Sequence, residues 1–410
     1  MNAIQIRRQA RLALAAFLRL NRTVQTAGLR VAVKNWLVLA ALALSACTAA
    51  SAADAPSEIP AEWVQVDPEA VRIDGRLFDP TCSQAPGADP TYRFWYHHGA
   101  ANGLVVFFDG GGACWDDVTC AIPRLRDAPR DDDGFYKAEL IDSDDPRRFN
   151  GIFDLDNPRN PVRDWSFVYV PYCTGDVHSG SNTAHYTDPD TGAPYAIEHR
   201  GADNFRVILD WMKHAFVQPE QVLVAGSSAG AYGAATHYAR IRQAYPRAQS
   251  MMIGDAGQGV MTQAFLDRRQ QSWGFALPRG VLARNAAVTP ETDIVAALAA
   301  RYPNDRFAQY TTARDITQTS FYALMGAENA CNAWSETMSR ALAHRQRAPN
   351  FRSYLARGET HAILRTARFY TETSGGGPLP EWLGAMLEGG PGWENRACQE
   401  CMAAATRCLY

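Results

Sequence analysis

The chain has 410 residues, of which 47% are hydrophobic and 10% aromatic, and its formal net charge is −3. This length suffices for one large α/β domain or two modest ones, and the composition is ordinary for a chain that buries a core. Seven of the 40 basic residues and none of the 43 acidic residues lie within 1–53, so the remainder carries 33 against 43, a net charge of −10. Phosphate binding requires clustered Lys and Arg, so this acidic chain is disfavoured as a nucleic-acid-binding protein.

The N-terminal segment predicts export. A positively charged stretch is followed by a short apolar run over 36–44 and then by Ser45-Ala46-Cys47. The run is shorter than the roughly 20 residues of a membrane-spanning helix, and its flanks are those of a secretory signal. The end of the run, with Cys47, also resembles the lipobox of bacterial lipoproteins. We therefore expect a leader over 1–46, a lipid-anchored Cys47 in the bacterial cell envelope and a tether over 47–60; plain secretion is the alternative.

Strands and helices alternate along the rest of the chain. Strands are predicted at 104–108, 165–170, 221–225, 250–253, 306–310 and 351–355, of which 104–108 is a continuous apolar run of buried-strand length. Helices are predicted over 205–216, with Asp203 or Asn204 as its N-cap, and over 229–240. This alternation predicts one α/β domain over 61–410, with a mostly parallel central sheet and helices on both faces.

The segment Gly226-Ser227-Ser228-Ala229-Gly230 matches the pattern G-x-S-x-G between a predicted strand and a predicted helix. A serine at such a turn projects its hydroxyl over the carboxyl edge of the sheet, and the glycines allow the close backbone approach that the turn requires. Ser228 is therefore the predicted nucleophile. A glycine-rich turn without chemistry is the alternative.

Acyl transfer also requires backbone N–H donors for the oxyanion that develops on the substrate. One donor is expected from Ala229, the residue after the nucleophile. The others are expected from the loop Gly110-Gly111-Gly112, which follows the first buried strand as the HGGG-type loop of esterases does.

A serine nucleophile requires a histidine base, and an acid that orients this base. After Ser228, only His344 and His361 lie at a useful distance; His344 falls on a polar helical segment, whereas His361 follows a predicted strand and a turn, so His361 is favoured. The residues themselves leave the acid open between Asp255 and Asp315, because both follow predicted strands.

Eight cysteines remain after Cys47, and an even number in an exported chain favours disulfides. Cys114 and Cys120 are close enough to close a short loop and form the favoured pair. The C-terminal group Cys398, Cys401 and Cys408 lacks the second Cys or His pair of a zinc site, so disulfides are favoured there too. We predict neither a metal ion nor another cofactor.

Several of these motifs resemble the pectin acetylesterase/Notum family of serine carboxylesterases, which has an α/β-hydrolase-like fold. The resemblance extends over about 90–365 and is carried by Phe108-Asp109-Gly110-Gly111-Gly112-Ala113-Cys114, Pro171-Tyr172-Cys173-Thr174-Gly175-Asp176-Val177-His178-Ser179-Gly180, the Ser228 motif, Gly254-Asp255-Ala256-Gly257, Asp315 and Thr360-His361-Ala362-Ile363-Leu364. It implies a triad of Ser228, Asp315 and His361, with the amides of Gly110, Gly111 and Ala229 as the oxyanion hole.

The predicted function is therefore hydrolysis of short acyl esters, above all O-acetyl groups on a carbohydrate, through an acyl-enzyme on Ser228. A net charge of −10 disfavours the polyanion pectin and favours a neutral acetylated glycan or a small ester. Trp115, Asp176 and His178 are candidate substrate-binding residues. The alternatives are a lipase or polyester depolymerase with the same triad, and a non-catalytic surface binding protein on a hydrolase scaffold.

Overall fold

The computed structural model describes residues 62–125, 134–276, 293–399 and 401. The predicted leader, the tether and Cys47 lie outside the described residues, as does Cys408. Within the described ranges the strands are β1 (Val64–Val66), β2 (Val71–Ile73), β3 (Arg76–Phe78), β4 (Phe94–His97), β5 (Gly103–Phe108), β6 (Pro123–Arg124), β7 (Tyr136–Lys137), β8 (Ser166–Val170), β9 (Asn182–Thr187), β10 (Pro194–His199), β11 (Gln221–Ser227), β12 (Gln249–Asp255), β13 (Arg306–Thr312), β14 (Phe351–Ala356), β15 (Thr373–Ser374), β16 (Gly377–Pro378) and β17 (Arg396–Ala397).

The helices connect these strands and cover the sheet. They are α1 (Asp117–Cys120), α2 (Gly201–Ala215), α3 (Ala229–Ala244), α4 (Gln263–Trp273), α5 (Ile294–Arg301), α6 (Ile316–Leu324), α7 (Ala330–Arg345) and α8 (Leu379–Glu388), with short 3-10 turns at Asp142–Asp144, Pro146–Arg148, Gly151–Phe153 and Ala367–Tyr370. No helix among the described residues is long and apolar enough to cross a lipid bilayer.

A central sheet of nine strands has the order β1-β4-β8-β5-β11-β12-β13-β14-β17. The pairs β1–β4 and β4–β8 are antiparallel, and every later pair is parallel. All six predicted strands are confirmed and occupy the middle of this sheet. The predicted fold class, an α/β-hydrolase-like fold with a mostly parallel sheet, is confirmed.

The central strands are buried on both faces, as parallel strands between helices usually are. Along β5, the side chains of Leu104, Val106 and Phe108 pack in one hydrophobic cluster with α2, α3 and α7. The alternate side chains, Val105 and Phe107, pack in a second cluster with α8 on the opposite face. The sheet is thus covered by helices on both sides, which explains why central strands such as β5 and β8 are nearly continuous apolar runs.

The predicted N-cap of α2 was wrong. Asp203 and Asn204 lie inside the helix, which begins at Gly201. The Gly201 amide donates to the carboxylate of Asp176 at 2.8 Å, so a residue distant in sequence satisfies the helix terminus. Asn204 instead bonds the backbone of Thr81 with its side chain.

Disulfides join parts of the described chain. The predicted pair Cys114–Cys120 is confirmed. Cys82–Cys173 ties the segment before β4 to the loop after β8, Cys398–Cys401 closes a turn near the C-terminus, and Cys331 is disulfide-bonded as well. Cys114, Cys120 and His199 approach one another closely enough to hold a metal ion, but the two sulfurs are bonded to each other and are not thiolates.

Candidate active site

Ser228 lies at the sharp turn between β11 and α3. Its backbone has φ 57° and ψ −124°, a conformation that costs a non-glycine residue on the order of 1–3 kcal/mol and persists only where its surroundings impose it. Those surroundings are hydrogen bonds on both sides: the Ser228 amide donates to the Asp255 carbonyl at 2.8 Å, and the Ser228 carbonyl accepts from the Ala231 amide at 3.0 Å. The G-x-S-x-G pattern thus forms the strained strand-to-helix turn that a nucleophile requires.

The flanking glycines are required by close backbone contacts. A Cβ atom at Gly226 would overlap the backbone of Gly230, and one at Gly230 would overlap the Phe108 carbonyl. Helix α3 therefore begins directly against the end of β5, which brings the glycine loop after β5 to Ser228.

His361 and Asp315 form a hydrogen-bonded pair. The Nδ1 atom of His361 lies 2.9 Å from both carboxylate oxygens of Asp315. Asp315 is fully buried at the N-cap of α6, where its carboxylate also accepts from the backbone amide and the side-chain amide of Gln318. These contacts fix the Asp315 carboxylate, which in turn fixes the tautomer and the direction of the His361 ring.

The pKa of His361 is raised above its ordinary value. Burial by itself would lower this pKa, but the charge of Asp315, its hydrogen bond and the charge of Asp255 together outweigh the burial. A raised pKa makes the imidazole a better proton acceptor, as a general base near neutral pH requires.

The other ring nitrogen of His361, Nε2, is the atom that a general base would use in a serine triad. Nε2 is buried and has no hydrogen-bond partner within the described part of the chain. His361 and Ser228 line the same cavity. Two of the three predicted triad residues, Ser228 and His361, thus line one cavity, and the third, Asp315, is fully buried and hydrogen-bonded to His361.

Asp255 does not bind the His361 ring. One of its carboxylate oxygens accepts from the Ser227 hydroxyl at 2.7 Å and from the amides of Ile363 at 2.8 Å and Leu364 at 2.9 Å. Asp255 therefore holds the backbone that follows His361, and burial raises the pKa of its carboxyl despite these hydrogen bonds. Of the two acids that the sequence left open, only Asp315 contacts the imidazole.

The predicted oxyanion donors are three backbone amides close to the serine turn in the sequence or in the fold. The N–H groups of Gly110, Gly111 and Ala229 donate to no other group in the described residues. A Cβ atom at Gly110 would lie 2.8 Å from the Cβ of Ser228 and 3.5 Å from its Oγ, so the loop passes directly beside the serine. Free amides next to a serine hydroxyl are the arrangement that stabilises an oxyanion.

A buried ionic network under this loop was missed by the sequence analysis. The fully buried carboxylate of Asp109 contacts Lys137 Nζ at 2.8 Å and Arg365 at 2.9 Å, and Lys137 also contacts Asp144. Burial opposes the charge of Asp109, but Arg365 and Lys137 lower its pKa to about 2. Arg365 follows His361 by four residues, so Asp109 and Arg365 connect the glycine loop with the histidine loop. No sequence signal indicated this pairing, because Lys137 and Arg365 lie far from Asp109 along the chain.

The cavity beside Ser228 and His361 is mostly apolar. Large side chains from α4, α6, α7 and the adjoining loops line it: Val260, Met261, Phe265, Phe321, Met325 and Trp334. Of the candidate substrate-binding residues, Trp115 is buried behind this wall, edge-on to Phe265 at 4.8 Å between ring centroids.

Asp176 and His178 are also buried and do not line the cavity. The Asp176 carboxylate accepts hydrogen bonds from Thr174 Oγ1 and from the amides of His178, Gly180 and Gly201. Burial raises the pKa of Asp176 to about 6, although these hydrogen bonds oppose the shift. Both residues thus hold the loop after β8 in place.

A serine at a strained turn and a histidine–carboxylate pair lie at the carboxyl edge of a mostly parallel sheet, and the fold is α/β-hydrolase-like. Residues 81–279 match the family model of pectinacetylesterase, and the resemblance inferred from the sequence is confirmed. This match includes the glycine loop, Ser228 and Asp255, and it ends before Asp315 and His361.

Three curated proteins illustrate the similarity. Pectin acetylesterase 11 of Arabidopsis thaliana is 28% identical over 175 residues, which cover 42% of this chain and 41% of the relative. Pectin acetylesterase 7 of the same plant is 27% identical over the same shares. The palmitoleoyl-protein carboxylesterase NOTUM of Schmidtea mediterranea is 28% identical over 140 residues, which cover 34% of this chain and 24% of the relative. The chain therefore spans about two fifths of the plant relatives' length and about a quarter of the animal relative's.

Proposed function

We propose that this chain is an exported carboxylic ester hydrolase that removes short acyl groups, above all O-acetyl groups, from a carbohydrate through an acyl-enzyme on Ser228. The observation that carries the proposal is the Asp315–His361 pair, because His361 lines the same cavity as Ser228 and its Nε2 atom has no hydrogen-bond partner among the described residues. The similarity to pectin acetylesterases and to a carboxylesterase supports the ester class.

The proposed reaction assigns one step to each of these groups. His361 Nε2 takes the proton of the Ser228 hydroxyl while Oγ attacks the ester carbonyl carbon. The amides of Gly110, Gly111 and Ala229 receive the oxyanion, each such donor being worth about 10²–10³ in rate. The protonated ring, stabilised by Asp315, then gives its proton to the leaving alcohol, and a water molecule activated by the same nitrogen hydrolyses the acyl-enzyme.

The first test is covalent labelling. The protein is exported into an oxidising compartment and treated with a fluorophosphonate, alongside Ser228→Ala. A single adduct on the peptide that contains Ser228, absent from the variant, is the expected result. A folded, disulfide-bonded protein that forms no adduct would contradict the proposal and favour the non-catalytic binding protein.

The apolar cavity wall favours a second candidate, a lipase or polyester depolymerase with the same residues. Aryl esters with acyl chains of two to sixteen carbons, compared with acetylated neutral glycans and acetylated pectin, separate the two. A kcat/KM that is highest for acetyl and falls along the series supports the acetylesterase. A maximum at eight carbons or more favours the lipase.

The lipid anchor is part of the proposal. Cys47 lies outside the described residues, so its support is the lipobox-like sequence around it. Disulfides within the described chain agree with an oxidising compartment. Metabolic labelling with an alkyne fatty acid is expected to mark the wild-type protein and not Cys47→Ser; equal labelling of both would contradict the anchor.

A further inference from the structure

The peptide group between Asp109 and Gly110 is held from one side by His178. The Nε2 atom of His178 lies 2.8 Å from the backbone carbonyl oxygen of Asp109. Because a carbonyl oxygen can only accept, His178 donates from Nε2. In a planar trans peptide the C=O and N–H groups point in opposite directions, so this bond aims the Gly110 N–H away from His178.

The Gly110 N–H is one of the expected oxyanion donors. It belongs to a residue whose Cα stands directly beside Ser228, and it donates to no group of the described chain. We infer that His178 is a positioning residue: its Nε2–H bond to the Asp109 carbonyl fixes the direction of the Gly110 amide and so completes the oxyanion hole. The inference rests on the proposed esterase function. It gives His178 a role in that site even though His178 does not touch the substrate.

His178 is itself held rigidly enough for this role. It has a left-handed backbone, φ 60°, and its amide donates to Asp176 at 3.1 Å. Its carbonyl accepts from His237 Nε2 at 2.7 Å, and its ring lies edge-on to Phe108 at 5.2 Å. The ring is thus fixed by bonds and packing that do not involve the glycine loop.

Burial also fixes the protonation state of His178. It lowers the pKa of the imidazole to about 4, although the hydrogen bond to the Asp109 carbonyl opposes this shift. At neutral pH the ring is therefore uncharged, with its proton on Nε2 where the carbonyl accepts it.

A pair of substitutions separates positioning from packing. In His178→Gln the side-chain amide nitrogen reaches about as far as Nε2 and retains a donor, whereas His178→Met fills similar space without one. We expect kcat of His178→Met to fall roughly 10- to 100-fold with KM nearly unchanged, a part of the 10²–10³ that loss of a whole oxyanion donor costs. His178→Gln is expected to retain kcat within a few-fold.

A second readout follows the oxyanion itself. A trifluoromethyl ketone forms a tetrahedral adduct with the serine and places an oxyanion in the hole. Its affinity for His178→Met is expected to fall by the same factor as kcat/KM.

His199→Met is the matched control, because His199 is equally buried and hydrogen-bonded to a backbone carbonyl, that of Thr174, without touching the glycine loop. It is expected to lose stability and retain kcat.

The outcomes distinguish this inference from the function on which it rests. If the wild type hydrolyses esters and His178→Met retains its kcat and its ketone affinity, the inference is wrong and the esterase stands. If wild type and Ser228→Ala are equally inactive, the function itself fails. Should His178→Met not fold, His178→Asn replaces it, because its shorter amide does not reach the Asp109 carbonyl; equal kcat for the Gln and Asn variants would then overturn the inference.

Discussion

Two fully buried carboxylates, Asp255 and Asp315, lie at the carboxyl ends of neighbouring parallel strands of the same sheet and bind different parts of the histidine loop. Asp255 ends β12 and binds the backbone after His361, whereas Asp315 lies beyond β13 and binds the His361 ring. Both carboxylate oxygens of Asp315 lie 2.9 Å from Nδ1 of His361. In Asp255, by contrast, a single carboxylate oxygen accepts three hydrogen bonds. The comparison shows that position in the sheet does not decide which acid binds the His361 ring; it depends on which hydrogen-bond donors surround each carboxylate.

The largest loss of kcat is expected from a substitution at Asp315, whose carboxylate binds the His361 ring. Asp315→Asn removes the charge that stabilises protonated His361 and allows the ring to adopt the wrong tautomer, so kcat is expected to fall about 10³- to 10⁴-fold. Steady-state kinetics on an acetyl ester measure the loss, and thermal unfolding checks that the variant is folded. A variant that retains a tenth of wild-type kcat would contradict the role of Asp315.

The corresponding substitution at Asp255 is expected to lower mainly the stability of the fold rather than kcat. Asp255→Asn weakens the charge-assisted bonds to Ser227, Ile363 and Leu364, which is expected to lower the free energy of unfolding by about 1–3 kcal/mol. We expect kcat to fall less than tenfold, because the ring keeps Asp315. Denaturant unfolding and kinetics on the same sample test both parts; a loss of kcat as large as in Asp315→Asn would erase the distinction.

A pH profile sharpens the comparison further. His361 acts as a base only when it is unprotonated, so kcat/KM is expected to fall as the pH drops through its raised pKa. Asp255 contributes to that raised pKa with its negative charge, so Asp255→Asn is expected to move the acidic limb to lower pH. An unmoved limb would mean that Asp255 carries no charge in this pH range.

The smallest effect is expected from Ser227→Ala. The variant removes one of the three donors to Asp255 and leaves Ser228 in place, so unfolding is expected to become easier by about 0.5–1.5 kcal/mol. Thermal unfolding measures the change, and kcat is expected to stay within a few-fold of wild type. A much larger loss of kcat would indicate that the Ser227 hydroxyl affects the turn at Ser228 directly.

The strands and the Ser228 turn could be predicted from the sequence because each depends on a pattern of neighbouring residues. The clearest strands, such as β5 and β8, are apolar runs bounded by turns, and the Ser228 turn is a contiguous motif, so their positions follow from neighbouring residues. The choice of Asp315 over Asp255 required a family resemblance, because it depends on which side chain reaches a ring 46 residues away. The Asp109–Lys137–Arg365 network and the role of Asp176 at the start of α2 depend likewise on tertiary contacts, which no local pattern encodes.

The crowded backbone around Ser228 also determines where this site can be redesigned. Gly110, Gly226 and Gly230 leave no space for a side chain, so a mutant library that varies them would consist mostly of misfolded proteins. The lining residues Phe265, Phe321 and Met325 belong to helices and an adjoining loop, so substitutions there alter the shape of the cavity without replacing a residue of that turn. Directed evolution toward new substrate preferences should therefore vary the residues of the cavity wall and keep the turn at Ser228 constant.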